Sequence, residues 1–283
     1  MKSKIAAVVV LYNPDVNFTD NIYSYIDDVS ILIIIDNSEK TNPTLFKPLF
    51  SDSRIKFIFN NENTGIAKAL NAGIKLASAN NFEWVLTMDQ DSYFGKSMIR
   101  KYIEDFDKMP DKTKIAVVGP VIDSIYENKN TGKIKNVTSL ITSGSLINVS
   151  VFSEIDGYNE NLFIDEVDHE YCYRAKLAGY SILQFEEIFL EHSLGQKISV
   201  DTISGVKKIK TFHSPLRLYY IVRNCCYIIS KYKKVFPQEI RLKRKDLLVR
   251  IKNNLLYGSK KISSLKYIVL GFIHYKRNRF GKL

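Results

Sequence analysis

The first ninety residues alternate between short apolar runs and polar clusters. Ile5-Ala-Ala-Val-Val-Val-Leu-Tyr12, Ser30-Ile-Leu-Ile-Ile-Ile35, Arg54-Ile-Lys-Phe-Ile-Phe59 and Glu83-Trp-Val-Leu-Thr-Met88 are such runs. All four predict strands, and the continuous β-branched stretches of the first two predict strands buried on both faces of a parallel sheet. Between them, Ile66, Leu70, Ile74 and Ala77 recur at helical spacing and predict a helix over 66–80. A polar helix is expected to follow Asn13-Pro14-Asp15. Strand and helix alternating in this way predict an α/β fold with a mixed, mostly parallel central sheet.

Beyond Asp91 the pattern becomes α+β. Ile115-Ala-Val-Val118 predicts a strand closed by Gly119-Pro120, and Ser139 to Val149 a further one. Glu166 to Ala178 predicts a helix with Gly179 as its stop. Ser181 to Phe185 reads as extended, and residues beyond about Ser204 as helical.

Each predicted strand ends in a polar cluster: Tyr12-Asn13, Asp36-Asn37-Ser38, Asn63-Thr64-Gly65 and Asp89-Gln90-Asp91. Sheets of this kind bind ligands at the carboxyl ends of their strands, so the four clusters define one candidate site. Asp89 and Asp91 are two residues apart and would share a side in extended backbone. Two such carboxylates suit Mg²⁺ or Mn²⁺ bridging a diphosphate, although solvated loop acids read the same. Asp36 could accept hydrogen bonds from a ribose or base, or cap a turn. Asn63-Thr64-Gly65 opens a helix whose amides could face an anion. Neither GxGxxG nor GxxxxGK[ST] occurs, so a dinucleotide fingerprint or P-loop is not supported.

Asp165-Glu166-Val167-Asp168-His169-Glu170 is the densest acidic cluster. Asp168 and Glu170 are candidate general bases, with Arg174 four residues past Glu170 as a helical pair. His192 could complete a metal shell or serve structurally. Arg217 and Arg223 lie among Tyr219-Tyr220 and could meet phosphate or line a basic helix face.

Charge divides the chain. Residues 201–283 hold 21 Lys+Arg against 3 Asp+Glu, and residues 1–200 hold 20 against 27. The last part is therefore a basic, aromatic-rich extension, which points to an anionic membrane surface or nucleic acid. Leu247, Leu248, Ile251, Leu255 and Leu256 recur at helical spacing among basic clusters, which suits an anionic membrane; the same stripe could instead pack on the catalytic domain. Nucleic acid leaves the acidic strand ends unexplained and is not expected as a partner. The three cysteines form no CxxC pair and fit a reducing compartment. No apolar run is long enough to span a bilayer. The expectation is a cytoplasmic protein, peripheral at the inner face of the membrane.

Taken in order, these motifs resemble the inverting glycosyltransferases of GT-A fold, family 2, and among them the bacterial rhamnosyltransferases that use dTDP-L-rhamnose. The resemblance rests on Val-Val-Val-Leu-Tyr-Asn-Pro at 8–14, Ile-Asp-Asn-Ser at 35–38, the Asn-Thr-Gly-Ile-Ala-Lys run at 63–68 and Leu-Thr-Met-Asp-Gln-Asp-Ser at 86–92. It continues through Thr-Ser-Gly-Ser at 142–145, Asp-His-Glu-Tyr-Cys-Tyr-Arg at 168–174, Leu-Glu-His-Ser at 190–193 and His-Ser-Pro-Leu-Arg at 213–217. It implies that Tyr12, Asp36, Asn63, Gly65, Lys68, Asp89 and Arg217 hold the nucleotide. It implies Asp91 and His192 as ligands of Mn²⁺ or Mg²⁺, and Asp168 as base with Glu170 beside it. The family's acidic motif usually reads Glu-Asp-x-Asp; here Val167 replaces the Glu, which leaves Asp165 and Glu170 open as alternatives to Asp168.

The implied partners are a nucleotide-sugar donor, a glycan or lipid-linked acceptor of bacterial surface polysaccharide, and an anionic membrane surface, with a homo-oligomer left open. A UDP-hexose donor is the alternative. The implied domains are 1–205, catalytic (1–91 nucleotide-sugar half, 92–205 acceptor half), and 206–283, the helical extension.

Overall fold

The computed structural model describes residues 4–122, 134–192, 197–201 and 207–283. The chain forms two compact units. One comprises Met1–Glu160 with Val167–Ser193, the other Asn161–Glu166 with Leu194–Leu283.

In the first unit, strands β1 (Ile5–Leu11), β2 (Ile31–Asp36), β3 (Ile55–Phe59) and β4 (Trp84–Asp89) pair in parallel in the order β3-β2-β1-β4. Helices α1 (Phe18–Tyr23), α2 (Pro43–Phe46) and α3 (Ile66–Ala79) connect them. Beyond β4 come β5 (Ser92–Phe94), α4 (Met98–Asp107), β6 (Ile115–Ile122), β7 (Ile134–Asn136), β8 (Ser145–Asn148), α5 (Val149–Glu154), α6 (Val167–Leu177) and β9 (Ser181–His192). The sheet continues β4-β8-β6-β9-β5, with β7 also on β9. Among these strands β8, β5 and β7 run against the other six, so the expected mixed, mostly parallel sheet is observed.

The runs of β1, β2 and β4 are continuous because both faces of the sheet are covered there, while the edge strand β3 is half-exposed. Ala7, Val9, Leu11, Leu32 and Ile34 join the main core with Phe18 of α1, Phe46 of α2 and Tyr102 of α4. The alternate residues Val8 and Ile35 meet α3, so closely that a Cβ on Gly73 would lie 2.5 Å from Val8 Cγ1. Glycine at that position lets the helix backbone approach the sheet.

Several boundaries differ from the sequence expectation. The strand expected to close at Gly119-Pro120 runs on to Ile122, with a register shift where the proline sits. The extended stretch expected over 139–149 contributes only β8, because Asn148 caps α5 by accepting from the amides of Ser150 and Val151. β9 extends to His192. Gly179 does end α6, at φ +89°.

In the second unit, β10 (Lys197–Asp201) and β11 (Lys207–Thr211) form an antiparallel hairpin, and β11 lies where helix was expected beyond about Ser204. Three helices follow: α7 (Pro215–Tyr232), α8 (Pro237–Tyr257) and α9 (Lys261–Lys276). Ile221, Val222 and Cys225 of α7 bury Leu247 of α8, with Ile251 and Ile268 against them. Two members of the apolar stripe expected to face a membrane, Leu247 and Ile251, thus pack on α7, while Leu248 and Leu256 remain exposed. Among the described residues no helix is long and apolar enough to cross a membrane.

Candidate active site

Strand register brings the polar clusters of the first unit to one level. Leu11 lies opposite Asp36, Val10 opposite Asp89, and Asp36 opposite Phe59. Tyr12 therefore emerges beside the ends of β2 and β4. Its amide donates to Gln90 Oε1 at 2.8 Å, and the ring is exposed. The Asn21 amide donates to the Gln90 carbonyl. Gln90, the middle residue of Asp89-Gln90-Asp91, thus ties the β1 loop to the β4 turn, a role not read from the sequence.

Asp89 ends β4, and Gln90-Asp91 form a turn into β5. The two carboxylates converge through that turn and not through extended backbone. Ser92 pairs with His192 across the antiparallel β5–β9 ladder. This places His192 Nδ1 at 2.6 Å from Ser92 Oγ and 3.4 Å from Asp91 Oδ1. One ligand atom from each of Asp89, Asp91 and His192 lies within 4.8 Å of the others. Asp89, expected as a nucleotide contact, stands with the expected metal pair. Two carboxylate oxygens and an imidazole nitrogen form a donor set that fits Mn²⁺, and less selectively Mg²⁺. Burial disfavours the charged ring of His192, but its hydrogen bond to Asp91 and the charges of Asp89 and Asp91 together outweigh it, so its pKa is raised. Ser143 holds the strand end from behind, its hydroxyl accepting from the Asp89 amide.

The loop between β3 and α3 is built on a buried amide. Asn37 Oδ1 accepts from the Thr64 amide, the Thr64 hydroxyl and Asn60, while its Nδ2 donates to Asn63 Oδ1. Asn63 Oδ1 also accepts from the Gly65 amide, and Gly65 takes φ +85° as it opens α3. Asn37 was visible only as part of a cluster; the structure makes it the hub of the loop. Lys68 is exposed on the first turn of α3.

Asp36 is 1% exposed. Its Oδ1 accepts from the Ser38 amide and hydroxyl, and its Oδ2 from Thr41 at 2.6 Å. Its carboxylate thus ties Ser38 and Thr41 into the loop that follows β2. Glu170 is likewise fully buried. It accepts from Arg174 Nε at 2.7 Å, and Arg174 also donates to the carbonyls of Ile155 and Gly157.

Asp168 remains partly open, in the first turn of α6. Its Oδ1 accepts from the His169 amide at 2.8 Å and lies 2.9 Å from His169 Nδ1. The helix N-terminus favours negative charge there. Burial, followed by several neighbours that include Asp168 and Asp89, pushes the Tyr158 hydroxyl far above its ordinary pKa.

Arg217 belongs to the second unit, where it forms a two-pronged pair with Asp165. Beside it, Glu166 pairs with Lys243 at 2.7 Å. Asp165, the alternative base, is thus committed to Arg217.

The chain is similar to known proteins. The family model described as Glycosyl transferase family 2 matches residues 7–171. The chain is 32% identical over 252 residues to the dTDP-rhamnosyl transferase RfbF of Shigella flexneri, spanning 82% of this chain and 81% of that protein. It is 25% identical to the low-salt glycan biosynthesis hexosyltransferase Agl10 of Haloferax volcanii, over 100% and 94% of the two chains. Among solved structures, GalNAc-T7 with UDP, GalNAc and Mn²⁺ superposes with a TM-score of 0.58 at 13% identity, over 93% of this chain and 57% of that one. S. aureus TarS in complex with UDP-GlcNAc superposes at 0.56 and 15% identity, over 96% and 81%. At those identities the two structures establish the fold alone, which is that of the GT-A glycosyltransferases.

Proposed function

The chain belongs to glycosyl transferase family 2, and on that footing we propose that it transfers L-rhamnose from dTDP-L-rhamnose to a hydroxyl of a glycan or lipid-linked acceptor, with inversion. The observation that carries the chemistry is the convergence of Asp89, Asp91 and His192 at the end of β4. The donor assignment draws its support from the identity to the dTDP-rhamnosyl transferase.

Asp168 takes the proton of the acceptor hydroxyl. The oxygen forms its bond to the anomeric carbon as the bond to the diphosphate oxygen breaks on the opposite face, and dTDP leaves with the electron pair. One base acting in one displacement inverts the centre and requires no covalent sugar–enzyme intermediate. Asp89, Asp91 and His192 would hold Mn²⁺ or Mg²⁺, which when bound supplies positive charge against the departing diphosphate. Tyr12 offers an exposed ring to the base of the nucleotide, and the Asn63-Gly65 turn presents the N-terminus of α3 to negative charge. Glu170 fixes α6 through Arg174 and so positions Asp168.

Calorimetric titration with dTDP and with UDP, with and without Mn²⁺, tests this reading. Metal-dependent dTDP binding that weakens at least tenfold in Asp91→Ala is the expected result. Preference for UDP would replace the donor and keep the chemistry, an outcome that the UDP-bound structural neighbours make the specific alternative. No binding of either nucleotide would overturn the reading.

A further inference from the structure

The last helix has two faces that differ in kind. Along α9, Ser264, Tyr267, Ile268, Gly271 and His274 point inward. Gly271 approaches α7 so closely that a Cβ would lie 2.6 Å from the Tyr219 carbonyl oxygen. Tyr267 and Leu270 pack with Phe163, Tyr219 and Tyr220, and His274 Nδ1 lies 2.8 Å from the Tyr219 hydroxyl. The small residues at 264 and 271 seat the helix firmly on α7.

The opposite face carries Ile262, Leu265, Val269, Phe272 and Ile273, which follow one another at helical spacing. All five are exposed, from 37% for Ile273 to 89% for Ile262. An apolar row of this length on an ordered helix marks a surface that meets something. Lys261, Lys266 and Lys276 flank it and are exposed as well.

Charge identifies the partner. From Leu247 to the last residue the chain contains nine Lys+Arg and no Asp or Glu. The outer side of α8 repeats the mixture, with Leu242, Lys245, Val249, Lys252 and Leu256 all exposed. Along α9 the apolar row is edged by lysines with no carboxylate on the helix, while on α8 the exposed Asp246 is paired with Arg250; this mixture matches an anionic bilayer. The apolar side chains enter the acyl boundary while the lysine stems reach up to the headgroups. Nucleic acid would satisfy the lysines and leave the five apolar side chains in water. A second copy of the chain would bring the same lysines against one another.

We propose that α9 is an interfacial helix that docks the protein in the plane of an anionic membrane through Ile262, Leu265, Val269, Phe272 and Ile273. The surface differs from the α8 stripe read from sequence, part of which is buried against α7. The inference does not depend on which sugar nucleotide the enzyme uses.

Flotation of the full chain tests it, with vesicles of phosphatidylglycerol and phosphatidylcholine compared with phosphatidylcholine alone. The wild type is expected to float with the anionic vesicles only and to be released progressively by salt. The double variant Leu265→Glu, Val269→Glu alters two exposed side chains. It should melt as the wild type does and bind dTDP unchanged, yet lose at least tenfold in vesicle affinity. Phe272→Trp should show a blue-shifted emission when anionic vesicles are added. Equal flotation of the double variant, or flotation of Phe272→Trp without a shift, would overturn insertion by this face. Concentration-dependent self-association abolished in the double variant, without flotation of the wild type, would assign the face to a second copy. A salt-sensitive nucleic-acid complex without flotation would assign the charge to nucleic acid. Either result refutes the proposal, and unchanged dTDP binding throughout keeps the transferase reading separate from it.

Discussion

Arg223 is the largest of the fully buried side chains, and replacing it gives a sharp test of how the second unit is held together. Its guanidinium donates to the carbonyls of Leu162 at 3.0 Å and Gly281 at 2.7 Å, with a longer bond to Asn161 at 3.4 Å. It also donates to the Tyr219 hydroxyl and to Asn224 Oδ1. Tyr219, Tyr220 and Phe280 present their rings to it at 5.1–5.4 Å. Asn224 completes the clamp by donating to the carbonyls of Leu162, Ile164 and Asp165. The clamped segment is strained, since Phe163, Asp165 and Glu166 all have φ between +64° and +67°. Non-glycine residues hold such backbone only where their surroundings over-determine it, at about 1–3 kcal/mol each.

Arg223→Met keeps most of the side-chain length and removes the fork. Charge-assisted hydrogen bonds are worth about 1.5–3 kcal/mol apiece, but they are not additive within one group. The two short carbonyl bonds dominate, and their oxygens stay buried. Relief of the charge's desolvation offsets part of the loss. The expected net cost is about 3–4 kcal/mol in urea-induced unfolding of the second unit. Arg223→Lys, with the charge but not the planar fork, should recover less than half of it. Amide exchange read by mass spectrometry should rise over 161–166 and 279–283 and not in β1–β4. A cost below about 1 kcal/mol, or exchange unchanged in both segments, would refute the claim that Arg223 holds the strained loop.

Two other perturbations test separate parts of the molecule. Asp168→Asn should lower the transfer rate by about 10²–10⁴-fold, the range for losing a positioned base, while calorimetry shows dTDP binding unchanged; a variant that keeps most of its rate would move the base elsewhere. Burial first, then Arg250 beside it, lowers the His213 pKa from 6.5 to about 4, so the unfolded chain takes up a proton near pH 6.5 that the folded chain refuses until about pH 4. Stability should therefore fall between those values as the pH is lowered, by about 3 kcal/mol at most and by about 1–2 after solvent screening. Urea midpoints across that range should show it, and His213→Asn should flatten this part of the profile.

The parts of the fold legible from sequence are those in which one residue's neighbours in the chain decide its environment. β1, β2 and β4 read as apolar runs because α3 covers one face and α1, α2 and α4 the other, so the run itself carries the information, whereas the edge strand β3 exposes Lys56 and Phe59. β9 was underestimated because Gln184, Glu187 and Glu191 interrupt it. Its strand conformation is fixed by β6, β5 and β7, none of which is near it in the chain. The convergence of Asp91 with His192 depends on that same ladder, joining residues a hundred positions apart. On α8, Leu247 and Leu248 are adjacent and equally apolar, and only the position of α7 decides that one is buried and the other exposed.

The same reasoning sorts the acids of the candidate site. Asp36, Asp89, Asp91, Asp168 and Glu170 stand at similar motif positions, and the motif alone gives all five to the ligands. Asp36 is enclosed by hydroxyls and an amide, and Glu170 by a guanidinium that is also bonded to two carbonyls. Each is desolvated and anchored by the chain, which makes it part of the scaffold. Asp89, Asp91 and Asp168 keep contact with solvent, at a strand end, a turn and a helix N-terminus, where substrate can reach them. A buried carboxylate with protein partners loses little when a ligand arrives and offers little to it. An accessible one can exchange water for a cation or a proton. Accessibility, set by packing and not by spacing, therefore separates three of the five acids, which solvent reaches, from the other two, which the protein encloses.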